Sequence, residues 1–356
     1  MRAFSRIRAC QRAGRSGVLV YELLLVCVVL ACCWLGVCQI VGASRAPTSQ
    51  TIVSEKAIVH LKLGESDRFL GIYRRNDDVN RLDLESGEAS QIPVFVGHDV
   101  LRVAHSDGGQ STLISYIDGT STLLSDGCER LSYQRPPTKC AMAAVVSNDG
   151  RMALDVTDEG HVHGWRWRDQ STAEFEYDLP TGARIIQIFL DLSGNSLCVA
   201  RGDGVITFHD PESGLTIRNP LSIGCCCSAF ACLPDQSKLA AFVGGDRIHI
   251  LDLKKSPSTW VHVIEKSKPF ADVVAMEFSG DGRWLAISTS LSSEISLLDT
   301  DCQQSAGRLQ GHQGIVRALQ FTSDSKRLIS GGLDGTIREW SLNDRKQRRE
   351  IVIPGR

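Results

Sequence analysis

The 356-residue sequence lacks the cysteine spacing of a structural zinc site, although it contains 13 cysteines. Some of them lie in an apolar amino-terminal segment, where they fit as small hydrophobic side chains. The rest of the chain has no CxxC pairs separated by the spacer of a zinc finger. Neighbouring residues in the run 225–227 point to opposite faces of a strand, which opposes a disulfide between them. We therefore predict buried free thiols and no metal site.

The chain beyond residue 50 lacks an excess of positive charge. Of 39 basic and 41 acidic residues, residues 1–50 hold six arginines and one acid, Glu22, which leaves the remainder with a formal net charge of −7. A mildly acidic body disfavours binding to a phosphate backbone, which depends on clustered lysine and arginine. The short basic run at 345–349 is predicted to be a solvated end. Nucleic acid is therefore not an expected partner.

The sequence also lacks charge between Leu23 and Ser44, a run of 22 residues. At about 1.5 Å per helical residue, this run reaches the ~30 Å thickness of a bilayer core. Five arginines precede it and one follows, so the positive-inside rule predicts a cytoplasmic amino terminus and an extracytoplasmic body. We divide the chain into a basic leader (1–17), a transmembrane helix (18–43), a linker (44–55) and a repeat body (56–356).

The start of this helix resembles the prepilin-type signal of type IV pilins and pseudopilins. That signal has a basic leader, a glycine before the cleavage point and a glutamate fifth in the mature chain, and Gly17, Val18 and Glu22 stand in these places. The resemblance implies cleavage between Gly17 and Val18, with the helix kept as an anchor. A carboxylate in apolar surroundings needs a partner, which the amino terminus of a neighbouring subunit can supply. Two alternatives remain open: an uncleaved signal anchor with Glu22 at the interface, and a secretory signal peptide cut near Ala43.

The repeat body has a period of forty-odd residues. Each unit contains an alternating apolar run, a turn rich in serine, aspartate and glycine, and a second apolar run, which is the pattern of a hairpin. The turns centre on positions 40 to 46 residues apart: Asp67, Asp107, Asp149, Ser193, Asp235, Asp281 and Asp324. In the last four units a leucine follows the turn by four residues: Leu197, Leu239, Leu285 and Leu328. A third strand and a variable fourth segment follow, so the pattern predicts an all-β, seven-bladed β-propeller preceded by the transmembrane helix.

The last unit resembles a WD repeat. It opens with His312 after a glycine, and Ser330, Asp334 and Trp340 follow in the spacing of that family. In WD repeats these four residues form a structural hydrogen-bond chain. The resemblance therefore implies that Asp334 accepts a hydrogen bond from His312, which meets Ser330 inside the sheet. The resemblance covers residues 56–356, is strongest in the last unit, and implies the same propeller fold.

Closure of the ring has two possible routes. The chain has a candidate outer strand of its own at 349–353, whereas 51–55 could instead supply a strand to the last blade. The unbroken period predicts one ring and not two domains, because each blade must bury a face against its neighbours.

His312, Ser330 and Asp334 also have the residue types of a hydrolase triad. A serine inside a strand has neither access to substrate nor the sharp turn of a nucleophile elbow, so we predict a structural role. His161 and His163 lie two residues apart beside tryptophans, but a third metal ligand is not evident. The sequence shows no phosphate loop and no pair of catalytic carboxylates, so it predicts no catalytic residue, metal or cofactor.

The sequence predicts a membrane-anchored, non-catalytic propeller that acts as a scaffold for other proteins. Trp165, Trp167 and Trp260 are candidate contact residues because tryptophan is enriched at interface hot spots, but burial between blades is the favoured expectation for each of them. Two other functions are kept. One is a pseudopilin-like part of a secretion or pilus assembly, which cleavage after Gly17 would distinguish. The other is an enzyme or ligand sensor that uses the central channel, which needs polar residues converging there. Fold alone names no partner.

Overall fold

Antiparallel β-sheets make up the part of the chain that the structure describes. The computed structural model describes residues 57–352, apart from gaps at 64–66, 75–78, 93–99, 107–110, 126–129, 136–139, 169–170, 181, 224–225, 246, 255–257 and 264–271. The predicted leader, transmembrane helix and linker, with Gly17, Val18 and Glu22, lie outside the described residues. Within the described ranges, no helix has the length and apolarity needed to span a membrane.

The described strands form seven four-stranded sheets, and the strands of each sheet are consecutive in sequence. The first four sheets contain β1 Ile58–Leu63, β2 Phe69–Arg74, β3 Val79–Asp83, β4 Ala89–Ile92, β5 Val100–His105, β6 Ser111–Tyr116, β7 Thr120–Ser125, β8 Arg130–Gln134, β9 Ala141–Val146, β10 Met152–Thr157, β11 His161–Arg168, β12 Ser171–Asp178, β13 Ile185–Leu190, β14 Leu197–Arg201, β15 Val205–His209 and β16 Thr216–Ser222. The last three contain β17 Cys227–Cys232, β18 Lys238–Val243, β19 Arg247–Asp252, β20 Ser258–Val263, β21 Val273–Phe278, β22 Trp284–Thr289, β23 Ile295–Asp299, β24 Gln304–Leu309, β25 Val316–Phe321, β26 Arg327–Gly332, β27 Thr336–Ser341 and β28 Lys346–Val352. Each sheet is one blade, so the predicted seven-bladed propeller is confirmed.

Burial follows the position of a strand within its blade. The second strand has a neighbour on both edges and a blade against both faces, and β6 and β10 are buried along their whole length. The fourth strand forms the outer edge, and β16 and β28 are mostly exposed. The four leucines predicted to form one core layer are each 0% exposed: Leu197, Leu239, Leu285 and Leu328. The second strand of a blade thus faces the core on both sides, whereas the fourth strand faces the solvent.

Apolar clusters fill the spaces between neighbouring blades. Within the described residues there are seven such clusters, and each combines side chains of two adjacent blades. One of them joins the first blade to the seventh, where Ile58 and Leu61 on β1 pack with Ile329 and Ile337. Because burial of these faces supplies most of the stabilisation, no blade is independent of its neighbours.

The ring closes without an exchanged strand among the described residues. Outer strand β28 pairs with β27 of its own blade, which is the first of the two predicted routes, and residues 51–55 lie outside the described residues. Polar contacts reinforce the closure. The Asp67 carboxylate accepts hydrogen bonds from the backbone N–H and the Oγ of Ser323, at 2.9 and 2.8 Å. Side-chain packing and these bonds therefore hold the first and seventh blades together.

The turns between first and second strands lie on one face of the ring, called here the turn face. They contact one another from blade to blade, as where the Asp281 N–H donates to Ser325 Oγ at 3.1 Å and Ser196 Oγ donates to Gln236 Oε1 at 2.9 Å. Since each first strand ends at this face, all first strands begin at the opposite one, called the start face. The first strands contact their counterparts around the ring and so surround the central channel.

The described cysteines are free. Cys198 and Cys227 are buried, as predicted for the thiols of the body. Cys226 and Cys302 are exposed, so the prediction was wrong for these two. Cys226 lies just before β17 and Cys302 lies in the turn between β23 and β24, outside the strands that form the core.

Candidate functional site

The structure brings His312, Ser330, Asp334 and Trp340 together in one hydrogen-bonded chain. His312 Nδ1 lies 2.9 Å from Asp334 Oδ2, and His312 Nε2 lies 2.8 Å from Ser330 Oγ. Trp340 Nε1 donates to Ser330 Oγ at 2.8 Å. An indole can only donate, so the serine hydroxyl accepts from Trp340 and donates to Nε2, while Nδ1–H donates to the carboxylate. In this tautomer every donor has an acceptor.

Asp334 is the anchor of the chain. Besides His312, its carboxylate accepts the backbone N–H of Gln313 at 2.8 Å and that of Thr336 at 3.0 Å. Burial alone would raise the pKa of Asp334, but these hydrogen bonds and the nearby imidazole hold that pKa well below its ordinary value. The carboxylate therefore stays ionised and ties the loop before β25 to the turn between β26 and β27.

This set of residues cannot act as a hydrolase triad. Ser330 is 0% exposed and the His312 side chain is fully covered as well. A nucleophile must reach a substrate carbonyl and needs donors for the oxyanion, whereas Ser330 Oγ lies inside the sheet beneath Trp340. The arrangement stabilises the seventh blade.

A second buried network occupies the equivalent place in the third blade. Ser330 on β26 lies opposite Leu319 and Arg338, and Asp155 on β10 lies opposite Ala144 and His163 in the same register. The tryptophan position is also shared. In the third strand of both blades, a tryptophan pairs with the residue that lies two positions before the polar residue of the second strand. Trp165 therefore corresponds to Trp340.

The polar group at this place in the third blade is an ion pair. The Arg135 guanidinium contacts both carboxylate oxygens of Asp155, and the two side chains are 1% and 0% exposed. Ser115 Oγ donates to Asp155 Oδ2 at 3.0 Å, and Ser121 Oγ donates to the same oxygen. Arg135 follows the outer strand of the second blade, so the pair joins two blades, as His312 joins the sixth to the seventh.

Sequence reasoning missed this network, although a signal was present. Asp155 and Trp165 are ten residues apart, which is the spacing between Ser330 and Trp340. Trp165 is only 2% exposed, so the favoured expectation of burial between blades is confirmed and its role as a contact residue is not. Trp167 is half-buried and lines a pocket of about 310 Å³ between the third and fourth blades. The side chain of Trp260 lies outside the described residues.

The two histidines of β11 each bind a carboxylate. His163 Nε2 lies 2.7 Å from Glu174 Oε1, and its ring stacks on Tyr133 with centroids 3.6 Å apart. His161 Nδ1 lies 2.9 Å from Asp178 Oδ1. In the ranges that the structure covers, no three His, Cys, Asp or Glu side chains are placed to hold a metal ion.

Charged side chains interrupt the apolar pattern of the first strands, which surround the channel. Lys62 on β1 and Glu277 on β21 are each the fifth residue of their strand and are half-buried. Burial raises the pKa of Glu277 to about 7, and the charge of Lys62 opposes that rise. His60 and Arg102 lie at a level closer to the start face. The interruptions in the segments 58–63, 100–105 and 273–278 are a sequence signal that could have identified these residues.

Comparisons with known proteins agree with the fold. Residues 303–341 match the family described as WD domain, G-beta repeat. The β-propeller domain of Cps50 (Swd1) from Myceliophteria thermophila superposes with a TM-score of 0.67 at 14% identity, over 83% of this chain and 99% of that domain. A likeness at this level of identity bears on the fold alone.

Two curated relatives come from Saccharomyces cerevisiae. U3 small nucleolar RNA-associated protein 21 is 23% identical over 52% of this chain and 19% of its own length. Guanine nucleotide-binding protein subunit beta is 22% identical over 51% of this chain and 40% of its own length. The chain therefore spans less than half of either relative. The chain is thus a seven-bladed β-propeller, and residues 303–341 of it match the WD repeat model.

Proposed function

We propose that the protein is a non-catalytic, membrane-anchored propeller that acts as a scaffold for other proteins. The observation that carries this proposal is the burial of His312, Ser330 and Asp334 in a hydrogen-bond chain that has no access to substrate. The groups with the residue types of a triad hold a blade together, and the exposed surface of the ring is left to bind partners.

The names of the relatives support a role in assemblies. One similar protein is called a subunit and another is called an associated protein of a small nucleolar RNA. The acidic body of this chain disfavours nucleic acid itself as a partner. We therefore infer that the partner is a protein.

The membrane anchor rests on the amino-terminal sequence. In this proposal residues 18–43 span the membrane, the amino terminus is cytoplasmic and the propeller is extracytoplasmic. In an alternative form of this proposal, cleavage separates Gly17 from Val18. The protein is then a pseudopilin-like component of a secretion or pilus assembly, with the propeller as its head.

Purification of the tagged full-length chain from mild-detergent extracts of membranes tests this function. We expect the chain in the membrane fraction, together with another protein in fixed stoichiometry after size-exclusion chromatography. The matched control is a chain that lacks residues 1–43, which should leave the membrane fraction. Recovery of the full-length chain alone, at its own mass and from the soluble fraction, would contradict the proposal.

A second candidate function is a ligand sensor that uses the central channel. It requires polar side chains that converge on the channel, and Lys62, Glu277 and Arg102 on the first strands supply them.

A further inference from the structure

Three arginines lie where the first strands begin. Arg102 is the third residue of β5, Arg184 directly precedes β13, and Arg317 is the second residue of β25. They belong to the second, fourth and seventh blades, which are distributed around the ring. Because all first strands begin at the start face, the three residues stand at one mouth of the channel.

Contacts with Met142 bring two of these arginines together. Arg102 Nε donates to the carbonyl oxygen of Met142 at 2.7 Å, and Arg184 Nη2 lies 3.5 Å from its Sδ. Met142 is on β9 of the third blade, between the blades of the two arginines. The side chains of Arg102 and Arg184, from the second and fourth blades, therefore meet at one residue of the third blade.

The charge of Arg102 is not balanced by an acid among the described residues. Its guanidinium donates to two backbone carbonyls, those of Met142 at 2.7 Å and Leu101 at 2.8 Å. Burial lowers the pKa of Arg102, and repulsion from Arg184 and Arg317 lowers it further. Each of these causes acts against the charged form, and the attraction of an anion at the mouth would offset them.

One acid of the channel wall, Glu277, lies at a deeper level, whereas Asp272 directly precedes β21 at the level of the arginines. Glu277 is the fifth residue of its strand, at the level of Lys62, whose charge lowers the pKa of that carboxyl. Glu277 is thus close to the ammonium group of Lys62, which lies at the same depth in the channel. Among the described residues where the first strands begin, the three arginines outnumber the one acid, Asp272, in a body that is acidic overall.

We propose that the channel mouth formed by Arg102, Arg184 and Arg317 binds a phosphate-type oxyanion. Guanidinium groups bind phosphate through charge-assisted, forked hydrogen bonds, and several of them around a concave mouth also raise the local concentration of anions. The anion is either a free small molecule or a phosphorylated side chain of the partner protein. The proposal rests on the scaffold function and names the chemistry that the scaffold recognises.

Calorimetric titration of the purified full-length chain in detergent, with inorganic pyrophosphate as the probe, tests the site. We expect saturable binding at one equivalent, weakened about tenfold or more by Arg317→Ala, since the variant loses a charge-assisted hydrogen bond to the anion. Arg102→Ala should weaken binding similarly, and Arg102→Lys should recover part of it. The matched control is Arg151→Ala, which removes an exposed arginine on the turn face and should leave binding unchanged.

A second titration identifies the source of the anion. A peptide with one phosphoserine is compared with its unphosphorylated form. Phosphate-dependent binding of the peptide, lost in Arg317→Ala, supports a phosphorylated partner, whereas binding of pyrophosphate alone supports a free anion.

Two outcomes would overturn the proposal. One is that neither probe binds saturably, and the other is that Arg151→Ala weakens binding as much as Arg317→Ala. Arg317 is exposed, so its substitution should leave the fold intact even if Arg102→Ala does not, and a thermal melt checks this. If a partner protein still co-purifies with Arg317→Ala, the scaffold function stands, but the anion site has no part in binding that partner.

Discussion

Asp155 occupies in the third blade the place that Ser330 occupies in the seventh. Each residue lies two positions beyond the one that pairs with the tryptophan of the next strand, and each contacts a side chain from the loop that leads into its blade. In the seventh blade that group is a histidine, and in the third it is the guanidinium of Arg135. One position of the repeat thus holds either a serine in a hydrogen-bond chain or an aspartate in a buried ion pair.

Asp155→Asn is expected to destabilise the protein strongly. The change leaves the buried charge of Arg135 without its partner, which typically costs about 3–5 kcal/mol of unfolding free energy. Urea unfolding of the two proteins measures the loss. The control is Asp178→Asn, whose side chain is 82% exposed and whose pair with His161 should contribute at most about 1 kcal/mol.

Replacement of both partners sharpens this test. Apolar residues of similar size often replace a buried ion pair at little cost. The double variant Arg135→Met, Asp155→Leu should therefore be more stable than Asp155→Asn. An unfolding free energy of the double variant equal to or below that of the single one would argue against an uncompensated charge as the cause.

Gly331→Ala is expected to open the junction between the first and seventh blades. A Cβ at this position would lie 2.4 Å from Ile58 Cγ2, so β1 must shift, and overpacking of this kind costs about 1–3 kcal/mol. Hydrogen exchange should become faster in β1 and β25 while β17, on the far side of the ring, changes little. Gly280→Ala is the control, because its Cβ would meet only ordinary contacts at 3.6 Å or more. Equal exchange in β1 and β17 would refute closure by packing at this junction.

Acidification is expected to destabilise the packing between the first two blades. Burial lowers the pKa of His105 to about 3 and that of His60 to about 4, whereas both titrate near pH ~6.5 in the unfolded chain. Between these values the unfolded state binds more protons, so stability falls as the pH falls, by at most ~1.4 kcal/mol per pH unit for each histidine.

The measurement for this pH effect compares slopes. Glu277 acts in the opposite direction, because its raised pKa of about 7 makes its contribution fall as the pH rises. Unfolding free energies of the wild type and of His60→Gln, His105→Gln are therefore compared between about pH 4 and 7. The variant should lose much of the acid sensitivity, and identical slopes would show that these histidines do not titrate on unfolding.

The mature chain is expected to begin at Val18 and to expose its propeller outside the cytoplasm. Mass spectrometry of the purified amino terminus and protease treatment of spheroplasts test the two parts. An intact Met1 would exclude processing after Gly17 and leave a plain anchor. Protection of the propeller from external protease would refute the orientation. In an oxidising compartment the exposed Cys226 and Cys302 should be modified before the buried Cys198.

The sequence was sufficient for the features that repeat. The turn markers and the leucines such as Leu239 and Leu328 recur in every well-formed unit, because each blade must bury the same face. The register of the first unit was less accurate. Asp67 has φ 54° and corresponds to Ser325, with φ 56°, which is one residue beyond the marker of the last unit. Composition alone does not show which turn residue takes the left-handed conformation.

Contacts between blades could not be predicted in the same way. Arg135 and Asp155 are 20 residues apart and lie in different sheets, so no periodicity relates them. The arginines at the channel mouth come from segments more than 80 residues apart, and only the closed ring brings Arg102 and Arg184 to Met142. Groups that one blade supplies to another therefore require the structure.

Asp334→Asn tests most directly whether the triad-like residues are structural. One preparation of the full-length chain is measured for unfolding free energy and for hydrolysis of a broad set of ester and peptide substrates. The account predicts a loss of about 1–3 kcal/mol, because His312 loses its ionised partner inside the protein, and no hydrolysis by either protein. Unchanged stability together with a hydrolytic activity that the substitution abolishes would contradict it.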